Sequence, residues 1–294
     1  MHGNGLIAVD WGTTNRRIFV LGVDGSVEQR EADARGVTAI AADGFPAEMA
    51  ELRARFGDHP LLLAGMIGST RGWKEAPYVA CPVTLPQLSE RMLWVEPGRT
   101  AIVPGACIAG GELVDVMRGE EVQVFGAVAA GLIEPDGLLC HPGTHAKWVR
   151  LEAGAITGFR TFMTGELFAL LREHSILSAQ MIGDSSDCSA FREGVRRSLD
   201  HPGALTSHLF GTRARILLGK LKEEDAASYV SGLLIGADVA TGLDLGPGSV
   251  GLIGAPALTG LYAAALDESG RSHQEVDGEE AFVAGARALV ETFA

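Results

Sequence analysis

Two short stretches hold the residue types that could do chemistry. "VDWGTTNRR" (9–17) follows an apolar run at the start of the chain, and "HPGTHAKW" (141–148) follows another in its middle. Each sets a Gly-Thr pair at the tip between two strands: Gly12-Thr13-Thr14-Asn15 in the first and Gly143-Thr144-His145 in the second. Such a tip offers backbone N–H groups and a hydroxyl in a small concavity, which binds phosphate oxygens without a full positive charge. Glycine is suited to it because a Cβ would block close approach of the backbone. Asp10 would repel a phosphate, so its chemical use there is to hold Mg²⁺, through water. Either tip alone reads as an ordinary hairpin turn. Two at corresponding places read as a grip on the β- and γ-phosphates of ATP.

The elements around the tips support that correspondence. Leu6–Val9 is an apolar strand, "RIFVLGV" (17–23) is rich in β-formers, and Asp24-Gly25 is a hairpin signal before "SVEQRE". "FPAEMAELRARF" (45–56) has helical spacing, "PLLLAGMIGS" (60–69) reads as a buried strand, and "TAIVPG" (100–105) reads as a strand closed by Pro104-Gly105. A helix is expected from about Gly119, with Val122, Phe125 and Ala129 on one face. The opening pattern then returns in "GLLCHPGTHAKWVRLEAGAITGFR" (137–160), followed by a helix over 165–174, a strand over 249–255 and a helix over 256–266. This order predicts a duplicated α/β chain whose halves meet at a central cleft, each opening with an antiparallel meander. The expected domains are 1–118, joined by a terminal helix at 281–294, and 119–280.

Composition narrows the function classes. With 294 residues, 47% hydrophobic and 21% charged, the chain can build one large or two medium cores. Its formal charge of −13 argues against nucleic acid, which needs a basic face. The start Met1–Gly5 has no signal-peptide pattern, and no apolar run reaches the ~20 residues of a membrane span. Cys81, Cys107, Cys140 and Cys188 are scattered, which predicts reduced thiols in a cytoplasmic protein. The expected partners are small molecules; the sequence is compatible with a homo-oligomer and leaves that state open.

"DWGTTN", "HPGTHAKW" and "GLIGAPAL" (251–258) resemble the two phosphate motifs and the adenosine motif of the sugar kinase, Hsp70 and actin superfamily. More narrowly, "GMIGSTRGWKEAPYVACP" (65–82), "IVPG" (102–105), "VMRGEEVQVFGA" (116–127) and "SGLLIGA" (231–237) resemble the 2-dehydro-3-deoxygalactonokinase family, over nearly the whole chain. The resemblance implies an actin-like (ribonuclease H-like) sugar kinase fold of duplicated mixed-sheet halves. It also implies phosphorylation of the 6-hydroxyl of 2-dehydro-3-deoxy-D-galactonate by Mg²⁺ and ATP, in galactonate breakdown. Gly254 and Ala255 would then lie against adenosine.

Phosphoryl transfer needs a base near the acceptor hydroxyl. Related sugar kinases place an aspartate after a glycine ahead of the second phosphate loop; here Gly119 is followed by glutamate, which leaves Glu120, Glu121 and Asp115 as candidates, in that order. The competing reading is that both glutamates complement a helix N-terminus, worth a few tenths to about one kcal/mol each. An acceptor carboxylate calls for a cation, preferably arginine. Arg71 and Lys74 beside Trp73, in the loop from Gly68 to Tyr78, are the implied acceptor residues, together with Arg118; Arg16 and Arg17 are further cations within reach. Trp73 and Tyr78 are the implied walls of the sugar site; a lone loop arginine otherwise reads as a solvated charge, and a loop aromatic as packing.

Other signals fail on context. Gly246–Gly251 has GxGxxG spacing but precedes a strand instead of following one. "LLGKL" (217–221) lacks the rest of a Walker A loop, His141 and His145 lack helical placement for a metal pair, and "DESGRSHQEVDGEE" (267–280) reads as a solvated loop. Two rivals stay open: a kinase of the same fold for another sugar or sugar acid, and an ATP- or sugar-sensing protein without turnover.

Overall fold

The computed structural model describes residues 5–111 and 113–292. The described residues form two compact units, one within 5–135, 152–158 and 278–292, the other of 136–151 and 159–277.

The first unit opens with the meander β1 (Leu6–Trp11), β2 (Arg16–Leu21) and β3 (Val27–Asp33), then α1 (Phe45–Phe56) and β4 (Leu61–Gly65). It continues through β5 (Tyr78–Ala80), α2 (Leu85–Glu90), β6 (Leu93–Glu96), β7 (Thr100–Ile102), β8 (Gly105–Ile108), β9 (Asp115–Met117) and α3 (Glu120–Ala129). Its main sheet runs β3-β2-β1-β4-β7-β6, with β4 parallel to β1 and β7 parallel to β4. Parallel strands buried on both faces read as unbroken apolar runs, which is why "LIAV" and "LLLAG" show no alternation. Ile7, Val9, Leu61 and Leu63 are fully buried beside Phe45 and Met49 of α1, each worth roughly 1.5–3 kcal/mol on burial.

The second unit repeats the opening with β10 (Gly137–His141), β11 (Ala146–Glu152) and β12 (Ala155–Phe162). After these come α4 (Thr164–His174), α5 (Ser189–Asp200), α6 (Leu205–Leu217), α7 (Ala226–Gly242), β13 (Val250–Gly254), α8 (Pro256–Glu268) and β14 (His273–Asp277). Its sheet runs β12-β11-β10-β13-β14, again a meander extended by parallel strands on the side of its first strand. This twofold meander-plus-parallel topology is the actin-like sugar kinase fold. The helical stretch 223–245 is long and apolar enough to cross a bilayer, yet 78% of its most apolar window is buried inside the protein, as befits a core helix. The chain closes with α9 (Gly278–Glu291), which belongs to the first unit and packs on α3; Phe282 lies 5.5 Å from Phe19, ring centre to ring centre.

Three expectations are revised. The strand over 100–105 ends at Ile102, and Gly105 opens a new strand, β8, in a small separate sheet ordered β5-β8-β9. The polar stretch 267–280 holds the end of α8 and the edge strand β14, whose pairing with β13 buries only Val276 and so leaves no apolar alternation to read. The helix α3, expected to open the second domain, lies in the first unit, because its apolar face is covered by α9.

Candidate active site

The first tip is the reversal between β1 and β2, closed by a 2.9 Å bond from the Gly12 N–H to the Asn15 carbonyl. Its other carbonyls are taken by the turn after β3: Val37 N–H donates to Gly12, Thr38 N–H and Oγ1 to Thr13, and Gly36 N–H to Thr14, at 2.8–3.2 Å. The groups that would repel a phosphate are thereby turned to residues 36–38. Only glycine fits at 36, where a Cβ would stand 2.3 Å from the Thr13 oxygen. Asp10, Gly12, Thr13, Thr14, Asn15 and Arg17 line a cavity of about 600 Å³.

Alternation along β2 sends its two arginines to opposite faces. Arg16 is 1% exposed; its Nε donates to both Asp33 oxygens at 3.0 Å and its Nη1 to Glu48 at 2.8 Å. The guanidinium also stacks 5.0 Å from the Trp11 ring, and Arg35 pairs with the same Glu48. Arg16 is therefore a brace beneath the tip. Arg17 stands opposite Asp10 in the strand register, with Nη2 2.6 Å from Asp10 Oδ2.

The candidate bases stand where three chain segments converge. At Gly65, φ is +88°, and a Cβ would lie 2.8 Å from the Trp11 oxygen and 3.5 Å from Asp10 Oδ1. At Gly119, φ is +109°, and a Cβ would lie 3.1 Å from Gly65 Cα. The ends of β1 and β4 and the start of α3 thus meet within the first unit, with Gly119 against Gly65 and Gly65 against Trp11 and Asp10.

The two glutamates differ in environment. Glu121 is fully buried, and its carboxylate accepts the Gly119 N–H at 2.7 and 2.8 Å. Burial, and then the charge of Glu120, push its pKa up to about 8 despite those bonds and Arg118. Glu120 is half-buried at the first position of α3, and its Oε2 accepts the Arg118 N–H at 3.1 Å. Asp115 stands at the start of β9, with its Oδ1 accepting the Val116 N–H.

The implied acceptor residues separate into two groups. Gly68, Tyr78 and Arg118 come together: Arg118 lies 4.2 Å over the Tyr78 ring, donates from Nη2 to the Ala76 carbonyl at 2.8 Å, and leaves no room for a Cβ on Gly68. Arg118 is 9% exposed, and its Nε and Nη1 have no hydrogen-bond partner among the described residues. Arg71 and Lys74 are exposed on the loop. Trp73 stacks on Phe45 at 6.3 Å and 18° between planes, packed on the core of the first unit.

The second tip, Pro142–His145, is the reversal between β10 and β11. Here α4 supplies the backing: Glu166 N–H donates to the Thr144 carbonyl at 2.9 Å, and a Cβ on Gly165 would lie 2.5 Å from the Gly143 oxygen. His145 Nε2 is 2.5 Å from Glu166 Oε2. Gly254, at the end of β13, lies beside Pro142, and exposed Ala255 caps α8. A small cavity of about 80 Å³ is lined by Gly143, Thr164, Gly165, Leu258 and Tyr262. Behind it, buried Asp238 accepts hydrogen bonds from Trp148 Nε1, Thr164 Oγ1 and Tyr262 OH, the last two at 2.6 Å. Burial raises its pKa to about 6, and the three donors pull the other way.

Comparison with known proteins then decides the family. The profile of 2-keto-3-deoxy-galactonokinase matches residues 10–289. The 2-dehydro-3-deoxygalactonokinase of Escherichia coli is 37% identical over 292 residues, 98% of either chain. The chain belongs to the 2-keto-3-deoxy-galactonokinase family. A crystal structure from Sinorhizobium meliloti, assigned as a 2-dehydro-3-deoxygalactonokinase, superposes with a TM-score of 0.91 at 35% identity, covering 99% of both chains. An activator of 2-hydroxyisocaproyl-CoA dehydratase from Clostridium difficile, with bound ADPNP, shares the fold at a TM-score of 0.53 and 13% identity, covering 98% of this chain and 96% of its own.

In this member of the family, several residues that shape the site carry little sequence signal. Gly36 and Gly165 act through close approaches to tips at least twenty residues away in sequence. Glu166 reads as one more helix residue. Asp238 is detectable as a lone acid in the otherwise apolar and small "SGLLIGADVA" (231–240). Among the described residues no three His, Cys, Asp or Glu side chains cluster as metal ligands.

Proposed function

We propose that this chain transfers the γ-phosphoryl group of ATP to the 6-hydroxyl of 2-dehydro-3-deoxy-D-galactonate. The products are ADP and 2-dehydro-3-deoxy-6-phospho-D-galactonate, in the cytoplasmic breakdown of galactonate. Family membership and full-length identity to the Escherichia coli enzyme support the reaction. The structural observation that carries it is the first tip: carbonyls pinned away, Asp10 at its edge, and the start of α3 packed through Gly119 on Gly65 at the neighbouring strand end. The ADPNP held by a protein of the same fold supports ATP as the donor.

In this reading the tips at Gly12–Asn15 and Gly143–His145 bind the phosphates, and Gly254 and Ala255 border adenosine. The donor set fits Mg²⁺. The partly buried Asp10 carboxylate opens on the cavity, with a guanidinium already neutralising it, and Mg²⁺ takes one or two carboxylates plus substrate phosphates and waters. Asp10 would hold that ion, and when bound it neutralises charge on the β- and γ-phosphates. Glu120 accepts the proton of the attacking 6-hydroxyl, being the more accessible of the two glutamates. Glu121, neutral at physiological pH, fixes Gly119 and the start of α3. Arg118 and Tyr78 border the acceptor, since the unpaired guanidinium N–H groups suit a carboxylate.

The test is a coupled ADP-release assay with Mg²⁺-ATP against 2-dehydro-3-deoxy-D-galactonate, its gluconate epimer and neutral hexoses. Turnover confined to the 2-keto-3-deoxy acids is expected. Equal turnover of neutral hexoses would discard the acceptor assignment, and ATP binding without turnover would leave a sensor.

A further inference from the structure

The pair between Arg17 and Asp10 has no counterpart in a simple phosphate grip. The two residues are directly opposite across the first tip, and both side chains line the cavity. Asp10 is 14% exposed and Arg17 42%, so the guanidinium reaches in from the solvent side while the carboxylate stays in place. A carboxylate that must hold a divalent ion is thus already neutralised by one of the protein's own cations. Its neighbour Arg16 cannot serve as that cation, because Asp33 and Glu48 hold it on the other face.

We propose that Arg17 is an exchanging counter-ion. In the metal-free protein it neutralises Asp10; when metal and ATP enter together, it leaves Asp10 and pairs with a phosphate oxygen. The positive charge on Asp10 is then supplied by the metal, and the displaced guanidinium finds a second anion within the same cavity. No bond is made or broken in the exchange. The consequence is coupling: metal alone must displace Arg17 with nothing to receive it, whereas nucleotide supplies the receiving anion. Metal and ATP should each tighten the other through this one side chain. The inference rests on the reading of Asp10 as the metal carboxylate.

The experiment measures Mn²⁺ binding to the full-length protein by the electron paramagnetic resonance signal of free Mn²⁺, with and without a non-hydrolysable ATP analogue. In the unmodified protein, Mn²⁺ alone should bind weakly and the analogue should tighten it. Arg17→Gln should bind Mn²⁺ alone about tenfold more tightly, bind the analogue about tenfold more weakly, and lose most of the coupling. Arg17→Lys, which keeps the charge, should retain part of it and controls for any loss of fold. If Arg17→Gln leaves both affinities and the coupling unchanged while Asp10→Asn abolishes Mn²⁺ binding with the analogue, the exchange is overturned and the metal reading stands. If Asp10→Asn leaves that binding intact, the metal reading fails, and the exchange fails with it.

Discussion

The two tips are built alike in backbone and differently in charge. In each, the segment after the third strand of the meander donates N–H groups to tip carbonyls, and a glycine there lets the backbones touch: Gly36 behind the first tip, Gly165 behind the second. The charges part company from that point. The first tip carries Asp10 and Arg17 at its mouth, and Arg16, Asp33, Glu48 and Arg35 brace it with ion pairs. At the second, His141 stands where Asp10 would, and the brace is one buried acid, Asp238, gathering three uncharged donors. A phosphate grip needs the shared backbone; a metal needs the acid that only the first tip supplies at its strand end. In the proposed reading, this difference puts the metal at the first tip and leaves phosphate binding to the second.

Substitutions can break this comparison. The largest effect is expected from Asp10→Asn, which should lower kcat on the order of 10³-fold while the second tip still binds nucleotide; steady-state kinetics beside nucleotide titration would show the split. A loss confined to KM for ATP would erase the distinction between the tips. Next come Gly36→Ala and Gly165→Ala, each forcing a Cβ to within 2.5 Å of a tip carbonyl or closer. Each should cost about 1–3 kcal/mol of stability by thermal or denaturant unfolding and raise KM for ATP.

A smaller change, about 1 kcal/mol in kcat/KM for ATP, is expected for Glu166→Gln, which weakens the hold on His145. An unchanged kcat/KM for ATP would show that the pair does not orient His145 toward phosphate. A separate effect, on stability instead of turnover, concerns pH. Folded Glu121 keeps its proton up to about pH 8, whereas the unfolded chain releases it near 4.5. Between those values the unfolded state binds fewer protons, so stability falls as pH rises through the window. Glu121→Gln should flatten that fall in denaturant titrations at pH 5, 7 and 9, and a slope unchanged from the parent would place the Glu121 acidity elsewhere.

The tips, the meanders and the duplication were legible in the sequence because each rests on local signals: Gly-Thr turns, the Asp24-Gly25 hairpin, and helical spacing over 45–56. The small sheet of β5, β8 and β9 was not, since strands of three or four residues are too short to show a period. β14 was hidden for a related reason, being an edge strand with one buried side chain. Among the candidate residues, Asp10 and the α3 glutamates could be named from type and spacing. What separates Glu120 from Glu121 is full burial of the second against partial burial of the first, which the spacing of two adjacent glutamates does not show. The same holds for Trp73 and Arg118, adjacent to similar loops yet sent respectively to the core and to the Tyr78 face.

The most direct measurement is kcat on 2-dehydro-3-deoxy-D-galactonate for Glu120→Gln beside Glu121→Gln at pH 7. The account predicts a loss of roughly 10²–10⁴-fold for Glu120→Gln, and a change within about tenfold for Glu121→Gln, whose parent is already neutral in the fold. The reverse pattern, with Glu121→Gln silenced and Glu120→Gln active, would contradict it.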